Sequence, residues 1–258
     1  GGEFELTVSN EARPPRFLTG AVRAAIARWG KAAEQAKSAG DSSRALSCSR
    51  CRSRLLAVHG PLSEARTALL DVISLAREKD SKEATLEARI DLAAVDLLEG
   101  HIESATDELE RLVKETSSES RQRLHLHALD GLGIAHLERN HLELARACQE
   151  EQLRLARTLG DKTEECLALL RLGTTRSRTG EIDAAATLLQ QAIDLARGSV
   201  VPGLEARVWL AYGWHDEELG RFREAYDDYR RALDLGPNPL NRVDILGGMG
   251  NALFALHE

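Results

Sequence analysis

Cys48 and Cys51 stand three residues apart, the spacing of a redox dithiol or of half a zinc site. A structural zinc ion needs four such ligands. No second cysteine pair or histidine set completes them, so the pair reads as two small residues on one helix. His125, His127 and His136 gather in one stretch. They lack the i, i+4 histidine pair with a neighbouring carboxylate that a helical zinc site uses, and they read as packed or solvent-facing side chains. Gly247-Gly248-Met249-Gly250 has neither the preceding strand nor the following Lys-Ser/Thr of a phosphate cradle. No Gly-x-Ser-x-Gly elbow occurs, and Asp216-Glu217-Glu218 reads as solvated charge on a helix surface. These residues support no catalytic, cofactor or metal site, and the chain is expected not to be an enzyme.

The elements that carry these residues follow a repeat. A turn residue recurs as Gly60, Gly100, Asn140, Gly180 and Gly220, each step 40 residues long. Asn is the other residue that tolerates positive φ. Two places later comes an apolar residue (Leu62, Ile102, Leu142, Ile182, Phe222), and five places later an alanine (Ala65, Ala105, Ala145, Ala185, Ala225). The register reaches back to Gly20, Val22 and Ala25.

Each unit resolves into two helices. After the turn, Ile182, Ala185, Leu189, Ala192 and Ala196 make an i, i+3/i+4 stripe; this is helix B. A second break follows at Gly40-Asp41, Asp80-Ser81, Ser120, Gly160-Asp161 and Val201-Pro202, where Gly-Asp reads as a C′ glycine and an N-cap, and Pro202 as a first helical residue. Helix A then runs to the next turn. Midway along it sits a small residue: Ser53, Ala93, Gly133, Gly173, Gly213. A helix-interior glycine costs about 1 kcal/mol against alanine, which predicts a close approach, with the small residue facing the helix-B alanine. The fold class is all-α, an α-solenoid of stacked helix pairs.

Trp209, Tyr212-Gly213, Gly220, Ala225, Tyr229, Ala232 and Pro237 together resemble the tetratricopeptide repeat. "LRLGTTRSRTGEIDAAATLLQQAI" resembles it too. Ser53 and Ala93 depart at the glycine, and Gln149 and Gln152 stand where bulky and small apolar residues are expected. The period exceeds the usual length of about 34, similar to the long arrays of bacterial signal-transduction and maltose-activator-like regulators, of peptide-pheromone receptors and of eukaryotic polarity adaptors. The resemblance implies a right-handed superhelix over residues 16–258, about five full units with partial units at both ends. Residues 1–15, opening "GGEFEL", read as a cloning remnant and a flexible segment. "GGMGNALFALHE" carries a helix-A signature at Met249-Gly250 with no helix B after it, as expected of a fragment of a longer protein.

The resemblance also implies a concave wall built from helix A. Family positions carried over unit by unit give Arg50 and Arg54; Glu87 and Ala94; His127, Asp130 and Ile134; Leu170, Arg171, Thr174 and Arg178; Arg207, Leu210 and Trp214; and Asp244 and Asn251. The arginines suit carboxylates, and Trp214 with Leu170 and Leu210 suits an apolar anchor. Of the lysine-and-asparagine clamp that grips chaperone tails, only Asn251 fits.

With 43% hydrophobic but only 4% aromatic residues, the core is one of close helix contacts, not ring-filled sheets. A net charge of −7 argues against general nucleic-acid affinity. No apolar run reaches the roughly 20 residues of a membrane span. Four cysteines without a disulfide framework suit a reducing cytoplasm. The expected function is a non-catalytic scaffold or sensor module whose groove binds a protein or peptide, acidic with an apolar anchor. Self-association through the C-terminal half-unit, as a weak homodimer, is the alternative. A pheromone-type receptor or part of a nucleotide-dependent regulator ranks below both.

Overall fold

The computed structural model describes residues 20–237 and 239–257; the segment expected at 1–15 and the start of the array at 16 lie outside them. The described residues form α1 (Gly20–Ser38), α2 (Ser42–His59), α3 (Leu62–Glu78), α4 (Lys82–Glu99), α5 (Ile102–Thr116), α6 (Gln122–Glu138), α7 (Leu142–Leu159), α8 (Lys162–Arg178), α9 (Ile182–Ala196), α10 (Leu204–Glu218), α11 (Phe222–Asp234) and α12 (Pro239–His257), with one 3-10 turn at Glu119–Arg121. Even-numbered helices are type A and odd-numbered ones type B. No strand occurs among the described residues, and none of their helices is long and apolar enough to cross a membrane.

The breaks follow from backbone chemistry. Asn140 and Gly180 take the left-handed conformation (φ 57° and 79°) that ends helix A. Gly60 departs, being extended at φ −93°, because a residue before proline is driven out of helical conformations and Pro61 follows. Asp41 and Asp161 cap the next helices, accepting from the backbone N–H of Arg44 at 3.0 Å and of Glu164 at 3.2 Å. Pro202 does not open α10. Gly203 is left-handed at its N-cap (φ 76°), a conformation a helix cannot extend through, so Pro202 stays in the turn before it.

Each helix packs on its neighbours in sequence, and successive A helices also meet: α2 with α4, α4 with α6, α8 with α10, α10 with α12. Successive B helices make no comparable contact. The rod therefore bends with the A helices inside, as an α-solenoid.

The small residue stands eleven positions into helix A, at Ser53 after Ser42, Ala93 after Lys82, Gly133 after Gln122 and Gly173 after Lys162. The same spacing from Pro239 selects Gly250 in α12. These positions do not chiefly face the helix-B alanine. A Cβ on Gly173 would lie 2.9 Å from Leu189 Cγ, and one on Gly133 3.5 Å from Gln149 Cγ; on Gly213 it would overlap the Tyr229 ring. The alanine five after the turn, fully buried in five units, lets the helices close, and the bulky residue four places later fills the notch. Tyr229 is pinched on its other side as well, 2.5 Å from where a Gly248 Cβ would stand. Gln149 takes this seat with both amide atoms buried and unpartnered.

Asp216-Glu217-Glu218 is not a solvated surface. Asp216 is buried and hydrogen-bonded to buried Asp228. Glu217 accepts from Tyr229 Oη at 2.5 Å, and Glu218 accepts from Ser177 Oγ at 2.7 Å. Arg231 donates to Asp228 at 2.8 Å while its guanidinium lies 4.7 Å from the Trp209 ring centre. The last turn of helix A thus latches onto neighbouring helices.

Urea melts should separate the glycines. Gly213→Ala drives a methyl into Tyr229 and should lose about 1–3 kcal/mol, whereas Gly250→Ala meets open space and should gain up to about 1 kcal/mol. Gln149→Leu removes a buried amide without a partner and should raise stability by about 1–3 kcal/mol. An unchanged Gly213→Ala midpoint, or a lowered Gln149→Leu midpoint, contradicts the packing described.

Candidate functional site

The inner wall repeats in columns because units stack in register. One residue past each small position come Arg54, Ala94, Ile134, Thr174, Trp214 and Asn251. Ala94, Trp214 and Asn251 are exposed, Trp214 at 40%. Between α2, α4, α6 and α8 the wall dips into a cavity of about 370 Å³. Ile90, Leu97, Leu98, Leu124 and Ile134 make its apolar part; Arg54, Glu87, Asp91, His127, Asp130 and Arg171 make its polar part.

The polar groups form a charged seam. Glu87 holds two guanidiniums, Arg50 and Arg54, the latter at 2.5 Å. Asp130 is gripped from two sides: Arg171 Nη2 donates to Oδ2 at 3.0 Å, and Gln152 Nε2 donates to Oδ1 at 2.9 Å. Arg171 Nε lies 2.5 Å from Oδ1 but out of line for a hydrogen bond. Gln152 departs from the apolar pattern of helix B because its amide reaches through to the groove.

Three groups of the seam are held by charge without such grips. Burial pushes Asp91 up to about 6, against the pull of Arg54. Burial likewise raises Glu164, opposed by His127. Burial, and then repulsion by Arg171, lowers Arg207, which Asp130 and Glu164 counter through space. No ion pair holds Arg207 among the described residues. A half-buried guanidinium without a carboxylate is a costly state, and an arriving anion would relieve it.

The expected site residues divide accordingly. Arg50, Arg54, His127, Asp130, Arg171 and Arg207 meet along the seam. Arg178 lies at the rim, donating to Asn140 Oδ1 at 2.9 Å, and the Thr174 hydroxyl turns back to the Leu170 carbonyl at 3.0 Å. Leu170 and Leu210 are core residues, so they do not form an exposed anchor with Trp214. They sit three places before the small residue and turn inward between helices. Four of the five expected arginines already bind groups of this chain, which neutralises charge expected to be free. Asp91 and Glu164 were not expected. Asp91 shares its repeat column with Arg171, the only two charges in a column that otherwise holds Cys51, Gly131 and Ala211, and a lone acid and base in one column are the signal for it.

The other chemistry-bearing residues lie apart. Cys48 is buried and Cys51 half-buried, both free thiols. His125 Nδ1 lies 3.1 Å from Thr116 Oγ1, whereas His136 is buried with its Nδ1 unpartnered. Asp96, Glu99 and His101 bring ligand atoms within 4.8 Å of one another, but the Arg66 guanidinium occupies that space and donates to both acids.

Comparison with solved structures decides the architecture. BtubC (BKLC) from P. vanneervenii covers 84% of this chain and 91% of its own at TM-score 0.65 and 16% identity. The nearly identical TPR-like repeats of a Podosopora anserina protein described as a kinesin light chain cover 72% and 95%, at TM-score 0.53 and 16% identity. The fold is that of a tetratricopeptide-type repeat array. NprR, solved in complex with its cognate peptide NprX, covers 92% of this chain and 74% of its own at TM-score 0.61 and 16% identity. No family profile and no curated relative matches the sequence.

The raised acids set a pH dependence. Asp91 and Asp228 rise from 3.8 to about 6 and about 7 on folding, both chiefly by burial. Between those limits each of these two groups binds more protons in the folded chain than in the unfolded one, so its own contribution to stability is greatest below the ordinary value and is lost as pH rises through the window. Denaturant midpoints taken from pH 4 to pH 8 should change less unfavourably with rising pH in Asp91→Asn and in Asp228→Asn than in the parent. A pH slope in both variants identical to the parent's contradicts the assignment.

Proposed function

We propose that this chain is a non-catalytic peptide-binding module, a sensor or scaffold unit of a regulatory protein. The peptide lies along the concave face, sets a carboxylate on Arg207 and rests an apolar side chain against Trp214. These two residues stand seven positions apart on α10, about 10 Å along the helix axis, a span that a short peptide bridges. The carrying observation is the half-buried Arg207 without an ion pair, in an open concave wall beside an exposed tryptophan. Arg171 and Asp130, bound to each other, order the next stretch of the wall. The NprR–NprX complex supports the reading as a peptide-bound example of the same fold.

A random peptide library panned against the 258-residue chain tests this. Recovered peptides should pair Asp, Glu or a C-terminal carboxylate with a nearby aliphatic or aromatic residue. Their affinity should drop at least about tenfold in both Arg207→Gln and Trp214→Ala, and little in rim variant Arg178→Gln. Peptides that bind both groove variants as tightly as the parent overturn the site.

A further inference from the structure

One acid of the inner wall has no partner of its own. Asp91, on α4, lines the cavity of about 370 Å³ between α2, α4, α6 and α8. Among the described residues its carboxyl makes no ion pair and accepts no hydrogen bond. The guanidiniums around it are engaged elsewhere: Arg50 and Arg54 both donate to Glu87, and Arg171 donates to Asp130. Arg50 and Arg54 pull on Asp91 only through space, and their side chains are 38% and 62% exposed, so water and salt screen that pull. Burial outweighs it, and the carboxyl is held above its ordinary value.

The rest of the cavity is apolar. Ile90, Leu98, Leu124 and Ile134 line it, and Ala94, three residues on from Asp91, is an exposed part of its wall. An apolar hollow with one unpartnered carboxylate fits an alkyl chain that ends in a cation. Lysine lays its four-carbon stem along apolar surface and carries its charge at the tip, and it brings three donors to an acceptor that has none. A carboxylate removed from water without a donor is a costly state, which such a guest relieves. Lysine suits the space better than arginine, because an ammonium is a compact point charge, whereas a guanidinium is a broad planar fork entering beside Arg54 in the same cavity. The volume lies near the lower end of ligand sites, as befits one side chain.

We propose that this cavity is a lysine subsite of the concave groove: a lysine of the bound peptide enters it and pairs its ammonium with Asp91. The subsite rests on the reading that a peptide lies along this face, and it adds a second point of recognition on α4 to the one on α10. Asp91 and Arg207 carry opposite charge at separated points of the wall, so a peptide that pairs with both runs in one direction only.

An NMR titration of the 258-residue chain, with labelled isoleucine and leucine methyls, tests the subsite. The probes are Nα-acetyl-lysine methylamide and its norleucine counterpart, which has the same stem without the ammonium. The lysine probe should shift Ile90, Leu98, Leu124 and Ile134 saturably and bind at least about tenfold more tightly than norleucine. Asp91→Asn keeps the shape and removes an unpartnered charge, so it should stay folded by circular dichroism. It should lose that advantage for lysine and leave the norleucine probe as it was. Ala94→Trp fills the hollow from an exposed position and should block both probes. Equal binding of the two probes overturns the subsite, as does lysine binding undiminished in Asp91→Asn or the absence of shifts at these four residues. Neither probe carries a carboxylate, so the outcome is independent of Arg207. A groove peptide that loses affinity in Arg207→Gln but not in Asp91→Asn leaves the peptide reading standing and removes the lysine subsite.

Discussion

The seat of a bulky side chain over a small one, repeated from unit to unit, is the constraint on which the rest of this structure depends. Helix A and helix B come close where helix A carries a small side chain or none, and the alanine of helix B lets the approach continue. Leu189 over Gly173 and Tyr229 over Gly213 show the result at two sizes of knob. Tyr229 is also pinched by Gly248 of the following helix A, so one residue joins a unit to itself and to its successor. The stack needs no ring-filled core, which agrees with a composition rich in alanine and leucine and poor in aromatics. Stability in such an array is close to a sum of units and their interfaces, so each seat matters locally.

The same contact decides where function can lie. Drawing successive A helices together bends the rod, and the residues one place past each seat become the inner wall. That wall carries a seam of charge largely satisfied within the chain: Arg50 and Arg54 on Glu87, Arg171 and Gln152 on Asp130. A net charge of −7 spread over the whole chain says little about this face. The local arrangement matters more. Most charges of the wall are already paired, and among the described residues Arg207 is half-buried and makes no ion pair.

How much of this was legible follows from distance along the chain. The helix pairs were, because turn residue, apolar residue and alanine recur at one spacing, and periodicity survives without knowledge of tertiary contacts. The wall positions came from the resemblance to the tetratricopeptide repeat, carried over unit by unit. Their partners were not. Nothing local says that Glu87 answers both Arg50 and Arg54, or that Gln152 crosses from helix B to hold Asp130. Asp216-Glu217-Glu218 read as surface because three adjacent acids usually are, yet Tyr229 and Ser177 arrive from other helices to bind two of them. Leu170 and Leu210 read as groove residues because the column places them near it; a rotation of a few tens of degrees sends such side chains into the core. Pro202 read as a helix start until left-handed Gly203 blocked it.

A double-mutant cycle between Gly213→Ala and Tyr229→Leu, followed by urea unfolding, tests the central contact most directly. If knob and notch are one interaction, shrinking the knob relieves the added methyl, and the two changes should couple by about 0.5–3 kcal/mol, the double variant being more stable than the sum predicts. Strictly additive losses would mean that helix A and helix B are held together by something else.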